Sequence, residues 1–185
     1  MQFFTSDLHF CHENVISYSN RPFSTVDEMN ETLISRWNSK ITKQDTVYIL
    51  GDVAFANAVK TAELLDQLQG QKILVYGNHD RNIRKNKTLR DKFVKCEDYL
   101  EVKIRTSETE KQNIVLCHYA MITWNGRHRG AWMLHGHSHG TLDYPFQGKI
   151  LDVGVDCHNY VPISFDEVAR IMADKPIGSN DHHEE

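Results

Sequence analysis

No apolar stretch in this 185-residue chain approaches the roughly 20 residues that a membrane span needs. The opening MQFFTSDLHF has neither a basic start nor a long apolar run, so it does not read as a secretion signal. Cysteine is sparse. Cys11, Cys96, Cys117 and Cys157 are scattered without a CxxC pair, which argues against a disulfide framework and fits a reduced, cytoplasmic setting. Positive charge is not in excess. A formal net charge of -4 leaves no bulk attraction for a nucleic-acid scaffold, so a charged substrate has to be gripped locally. Internal repeats and low-complexity tracts are absent. Hydrophobic residues at 40% and charged residues at 25% are ordinary for a soluble globular chain, and the length suits one domain with a sizeable core.

Short apolar runs rich in Val, Ile, Tyr and Phe predict strands over residues 2–5, 46–50, 72–76, 100–104, 113–117, 131–134 and 149–155. Helical spacing lies between them. Capping candidates at Ser24 and Thr25 precede Met29, Leu33, Ile34 and Trp37. Val59, Leu64, Leu65 and Leu68 make a second apolar face, with Gly70 as its expected C-cap. Ser164 and Glu167 cap a last helix that turns Val168, Ile171 and Met172 inward. Strand and helix alternate through the first half, which predicts parallel pairing, whereas the second half is strand-rich. A layered α/β domain over residues 1–173 follows, with a polar hairpin-like loop at 106–112 and a loose tail at 174–185.

What the chain has in unusual number is histidine, eleven in all. Five strands end alike: FFTS runs into Asp7 and His9, VYIL into Gly51-Asp52, ILVY into Gly77-Asn78-His79-Asp80, IVLC into His118, and WML into His135-Gly136-His137-Ser138-His139. Ligands bind beyond the carboxyl ends of parallel strands, so one rim can gather all five segments. Residues two apart in extended backbone face the same side, so Asp7/His9 and His137/His139 can each grip one metal or straddle two. The donors are nitrogen and oxygen without thiolate, which suits Mn, Fe, Zn, Co or Ni. Two cations roughly 3.5–4 Å apart need a bridging carboxylate. Asp52 is the natural bridge, since its segment offers one strong ligand. Gly51, Gly77 and Gly136 adjoin ligand positions, where backbone must turn tightly or approach another group closely.

In these blocks the chain resembles the calcineurin-like metallophosphoesterase superfamily. Asp7-Leu8-His9, Gly51-Asp52, Gly77-Asn78-His79-Asp80, His118 and Gly136-His137-Ser138-His139 match its five motifs, in order, across about residues 5–139. The stretches DLHFCHEN, NRPF, HYAMITWN and VGVDCHNY are similar to small single-domain bacterial and phage members. The resemblance implies a β-sandwich of mixed sheets flanked by helices and two divalent cations, Mn first, with Fe, Zn, Ni, Co or Mg as alternatives. Asp7, His9, Asp52 and His139 would hold one cation; Asp52, Asn78, His118 and His137 the other. It further implies that a metal-bridging hydroxide attacks phosphorus in a phosphodiester or phosphomonoester; the short inserts between the blocks suggest no large cap domain and a shallow, open site, which favours diesters. His79 would protonate the leaving oxygen, and Asp80 would orient His79. The expected partner is a small phosphorylated or nucleotide-like substrate. The alternative, a non-catalytic metal-binding scaffold on the same fold, would be marked by a missing ligand or acid, and none is missing here.

Other residues stay open between two roles. His12 and Asn14 can touch substrate phosphate or cap the helix that begins there. Arg127 and Arg129 can line the site with guanidinium forks or lie in a solvated loop. Arg81 and the basic run 84–87 can steer an anion or simply be solvated. His135 is expected to pack or hydrogen-bond, His158 to sit near the rim or be buried, and Cys11 to pack. Tyr144 and Phe146 serve an interface or the core, and His182 and His183 belong to the loose tail.

Overall fold

The structure, a computed structural model, describes residues 1–178. The first half of the chain runs β1 (Gln2–Thr5), α1 (Glu13–Tyr18), α2 (Val26–Lys40), β2 (Thr46–Ile49), α3 (Ala58–Gln67), β3 (Gln71–Val75), α4 (Arg81–Lys85), α5 (Lys87–Arg90) and β4 (Lys95–Glu97). The second half runs β5 (Leu100–Arg105), β6 (Lys111–Leu116), β7 (Trp132–His135), β8 (Ile150–Asp152), β9 (Ile163–Ser164) and α6 (Phe165–Ala173). One sheet has the order β4-β3-β2-β1-β9, the other β5-β6-β7-β8. Helical crossovers make β1, β2, β3 and β4 parallel neighbours, while β9 joins β1 antiparallel. In the second sheet β5 and β6 form an antiparallel hairpin whose tip is the expected polar loop, and β6, β7 and β8 run parallel.

Alternation along the strands decides the layering, because successive side chains point to opposite faces. Phe3, Val47, Ile49 and Leu74 pack on Val15, Met29, Leu33, Trp37, Leu65 and Leu89 of the helices. Their neighbours Phe4, Leu50 and Val75 face the other way, onto Ile104, Ile114, Leu116 and Leu134 of the second sheet, with Val168 and Met172 of α6. Val115, Met133 and Ile150 cover the outer face of that sheet with Trp124. Helices, sheet, sheet and a loop layer are therefore stacked as a mixed-sheet sandwich, as expected.

Some expectations need correction. β4 and β9 are strands that the apolar pattern did not announce. They are three and two residues long and lie at the two edges of their sheet, where Lys95 and Glu97 can stay in water. Val59 is 70% exposed rather than part of the buried face; α3 buries Thr61, Leu64 and Leu65. Leu68, not Gly70, occupies the cap position of α3. At the start of the expected tail, Lys149 Nζ donates to the Lys175 carbonyl at 2.8 Å, and Gly178 is buried against Arg127. The rest of the expected tail, with His182 and His183, lies outside the described residues. Among the described residues no helix is long and apolar enough to cross a membrane.

Candidate metal centre

The carboxyl ends of both sheets meet on one rim. A parallel bridge from Ser6 to Gly154 joins the end of β1 to the segment after β8, and Gly136 N donates to the His118 carbonyl at 3.0 Å. The β1 and β2 exits are laced by Asp7 N to Gly51 O at 3.0 Å and His9 N to Asp52 O at 2.9 Å. Asp7, His9, Asp52, His137 and His139 all have left-handed backbone, with φ of 56°, 50°, 57°, 66° and 48°. L-residues adopt this region at a cost of order 1–3 kcal/mol each, and such residues cluster at functional sites. Gly136 is tight because an added Cβ would meet Ser6 Oγ at 1.9 Å and Asp7 Oδ2 at 2.5 Å. Gly51, at φ +94°, is tight for the same reason: its Cβ would meet Gly77 N and His118 Nδ1, both at 2.5 Å.

The structure brings all seven expected ligands together. Asp7, His9 and His139 converge within 4.8 Å, as do Asp52, His118 and His137. Asp52 Oδ2 lies between the groups, 3.6 Å from His9 Nε2 and 3.6 Å from His118 Nε2. Asn78 Oδ1 is 3.0 Å from His118 Nε2. Two donors on one ion at about 2.1 Å stand about 3.0–4.2 Å apart, depending on the angle between them. The 3.8 Å from His9 Nε2 to Asp7 Oδ1 also falls in that range. Both of those atoms are buried and make no hydrogen bond among the described residues. Orphaned buried acceptors are costly unless something else occupies the gap. Burial pushes the Asp7 carboxyl up to about 7, against the pull of His139. Burial, then Arg21, pushes His9 down to about 2, and burial also lowers His118. Neutral imidazoles beside an under-compensated carboxylate are what a cation needs. The donor set and its spacing therefore fit two divalent cations.

A second layer fixes the ligands. His118 Nδ1 donates to the Leu50 carbonyl at 2.6 Å, which leaves Nε2 as the free lone pair. His139 Nδ1 meets Asp156 Oδ2 at 2.7 Å, and Arg21 holds both oxygens of Asp156 through Nε and Nη2, each at 2.8 Å. Arg21 also donates to the carbonyls of Asp7 and Leu8 at 2.7 and 3.1 Å. Burial pushes the His139 imidazole down, but the Asp156 hydrogen bond and the Asp7 and Asp156 charges outweigh it. Arg21 and Asp156 lie within the stretches NRPF and VGVDCHNY, yet nothing in spacing or periodicity assigned them a role. Asp156→Asn is expected to weaken cation affinity about 10- to 100-fold. Metal titration of the variant checks this; affinity within twofold of wild type would reduce the Arg21–Asp156 pair to a brace for the fold.

Asp80 departs from its expected role. Its oxygens accept from the backbone N–H groups of Asp52 (2.9 Å), Val53 (2.9 Å) and Gly77 (2.8 Å), so it pins the β2 and β3 exits rather than the His79 ring. His79 is exposed, its ring 4.5 Å from Phe55, and its ring nitrogens make no hydrogen bond among the described residues. His12 takes the N-cap position of α1 without a side-chain cap bond. Its ring instead stacks on Phe55 at 3.8 Å and meets His9 Nδ1 at 3.3 Å. His9, His12, Asn14, Phe55, His79 and His139 share an open cleft of about 770 Å³.

Arg127 and Arg129 do not line that cleft. Arg127 is buried over Trp124 and Phe146, with Nη2 donating to the Gln147 carbonyl at 2.8 Å. Arg129 lies beside Glu101 and Asn125, on the second sheet away from the histidines. His135 is buried between the Gly136 carbonyl and the Tyr144 hydroxyl, both at 2.7 Å, so Tyr144 packs, as does Phe146. His158 Nε2 meets the Asp152 carbonyl at 2.8 Å. Cys11 packs against the helical core. In the basic run 84–87, Arg84 pairs with Asp98 and Lys87 with Asp91.

Comparison with known proteins agrees with this geometry. The calcineurin-like phosphoesterase family model matches residues 3–156. An uncharacterized protein of Methanocaldococcus jannaschii is 37% identical over 174 residues, covering 90% of this chain and 88% of the relative. The gene 66 protein of Mycobacterium phage D29 is 29% identical, over 92% of this chain and 95% of its own. Among solved structures, a protein of unknown function from Aquifex aeolicus superposes with a TM-score of 0.72 at 25% identity, over 92% of this chain and 98% of that one. The chain belongs to the calcineurin-like phosphoesterase family.

Proposed function

We propose that this protein hydrolyses phosphoesters with two divalent cations, that manganese serves, and that diesters are preferred to monoesters. The observation that carries the proposal is Asp52 Oδ2, equidistant at 3.6 Å from one histidine of each ligand group. Asp7, His9, Asp52 and His139 would hold one cation, and Asp52, Asn78, His118 and His137 the other. When bound, such a pair supplies a nucleophilic water near neutral pH and offsets charge on the phosphoryl oxygens.

The remaining work falls to side chains. His79, seated on Phe55 with no hydrogen bond to either ring nitrogen among the described residues, donates a proton to the leaving oxygen. His12 lies against Phe55 on the same cleft and, with Asn14, contacts the substrate. Asp80 keeps the Asp52 and Asn78 segments in register through three amides. The cleft is open and a separate groove adjoins it at Phe55 and His79, which leaves room for substituents on two sides of one phosphorus and favours a diester. Small or nucleotide-like phosphoesters fit such a site. Four unpaired cysteines favour a reducing, cytoplasmic setting.

Turnover of bis-p-nitrophenyl phosphate and p-nitrophenyl phosphate with added Mn²⁺, before and after chelation, tests the proposal. We expect metal-dependent release, faster for the diester, with two cations bound per chain. A preparation that binds two cations yet turns over neither ester would leave a metal-binding scaffold instead.

A further inference from the structure

The groove beyond His79 is a separate space of about 580 Å³, sharing only Phe55 and His79 with the metal cleft. Its other lining residues are Ala54, Ala56, Asn57, Arg81, Asn82 and Lys85. Two cations and no carboxylate line it, in a chain whose net charge is -4. Arg81 and Lys85 are exposed, four residues apart on α4, and neither forms an ion pair or hydrogen bond among the described side chains. Their neighbours differ. Arg84 is tied to Asp98 and lies 4.0 Å above the Tyr76 ring, and Lys87 is tied to Asp91. The basic run thus divides into a half neutralised on the surface and a half left uncompensated in the groove. The groove is also held in place: Asn82 Nδ2 donates to the Ala56 carbonyl at 3.0 Å, which fastens α4 to the loop carrying Phe55.

On the proposed chemistry His79 marks the side on which the leaving group departs, so whatever enters this groove is attached to the leaving oxygen. We infer that Arg81 and Lys85 form a second anion subsite, holding a phosphate carried by the leaving group. The substrate is then a phosphodiester within a chain of phosphates, such as an oligonucleotide end, rather than an isolated diester. This rests on the phosphoesterase proposal for its orientation, though not for the subsite itself. A guanidinium and an ammonium side by side suit phosphate oxygens, and charge-assisted hydrogen bonds are the strong ones.

The test uses three thymidine dinucleotides: one with free hydroxyls at both ends, one with an added 5′-phosphate and one with an added 3′-phosphate. Wild type and the double variant Arg81→Gln/Lys85→Gln are compared. These side chains are solvent-facing, so the fold should tolerate the change. With Mn²⁺, wild type is expected to prefer one phosphorylated form over the hydroxyl form in kcat/KM. That preference should fall about tenfold in the double variant, mostly through KM. Equilibrium binding of the same three compounds before metal is added gives a second readout that turnover cannot disturb. The added phosphate should tighten binding in wild type and not in the variant. Equal preference in wild type and variant, or no preference in wild type, overturns the subsite, even if both proteins hydrolyse bis-p-nitrophenyl phosphate. Wild type that turns over no phosphoester yet keeps the binding increment overturns the phosphoesterase proposal and leaves the subsite standing.

Discussion

Asp52→Asn is expected to cut phosphoester turnover on the order of a thousandfold or more and to lower cation content from two per chain to one or none. The substitution keeps the shape of the residue. Asp52 Oδ1 accepts from the His79 backbone N–H at 2.9 Å, and the asparagine oxygen can keep that bond. Its NH₂ group then takes the place of Oδ2 and faces His9 Nε2 and His118 Nε2, each 3.6 Å from that atom. A hydrogen-bond donor sits where a bridging anion belongs, and the two imidazole lone pairs gain a neutral partner instead of the separate cations that Asp52 would bridge. Stability distinguishes this from simple damage. Asp7, Asp52 and Asp80 are all buried, and the Asp52 charge is among the causes holding the Asp7 carboxyl up. Removing that charge should leave the melting temperature of the metal-free protein unchanged or higher. The rise on adding Mn²⁺, which grows as the logarithm of cation concentration over Kd, should shrink. A variant that melts lower without metal but responds fully to Mn²⁺ would make Asp52 a structural residue only.

The same electrostatics gives the metal-free chain a pH dependence. Asp7 has a folded pKa of about 7 against 3.8 unfolded, raised mainly by burial. Between those values the Asp7 carboxyl holds more of a proton folded than unfolded, so its contribution to stability falls as pH rises through the window, while His9, lowered to about 2, and His118, also lowered, act in the opposite sense below about 6.5. Urea unfolding of the metal-free wild type and of Asp7→Asn, which share the lowered His9 and His118, should show wild type losing stability relative to the variant from about pH 4 to about pH 7.

Much of this site was legible in the sequence because its ligands follow strands. Runs such as FFTS and VYIL announce buried β-structure, and parallel pairing carries their ends to one rim, so Asp7, His9 and Asp52 could be placed together from order alone. What conformation each ligand takes was not legible. The left-handed φ of Asp7, His9, Asp52, His137 and His139 is uncommon for residues with a side chain, and no apolar spacing announces it. Contacts distant in sequence were silent as well. Arg21 and Asp156 are 135 positions apart, and no spacing rule reaches across that distance. Arg127 misled for a different reason. It stands in the polar-looking segment Asn125-Gly126-Arg127-His128-Arg129, but Trp124 and Phe146 cover its guanidinium, and a long side chain can bury its stem and stack its head at once. Asp80 misled through adjacency: it follows His79 directly, yet the turn sends its carboxylate back to the amides of Asp52, Val53 and Gly77.

His79→Ala should show its effect through the leaving group. A departing alkoxide, as from a nucleoside sugar, is a strong base and needs a proton as its bond to phosphorus breaks; p-nitrophenolate does not. Loss of a general acid costs typically 10²- to 10⁴-fold where the proton is needed. The variant should therefore lose on the order of a hundredfold or more on a dinucleotide and less than about tenfold on bis-p-nitrophenyl phosphate. Cation content should stay at the wild-type level, because the His79 ring stands outside both ligand groups, 5.9 Å from the His9 ring. Equal losses on both substrates would remove His79 from the proton transfer and leave it a positioning residue. Asp80→Asn supplies the contrast. If Asp80 acted by orienting His79, it would copy this dependence on the leaving group. Its three amide partners imply the opposite: an asparagine NH₂ set against backbone N–H groups loosens the segments carrying Asp52 and Asn78, so both substrates should suffer alike and cation affinity should fall with them.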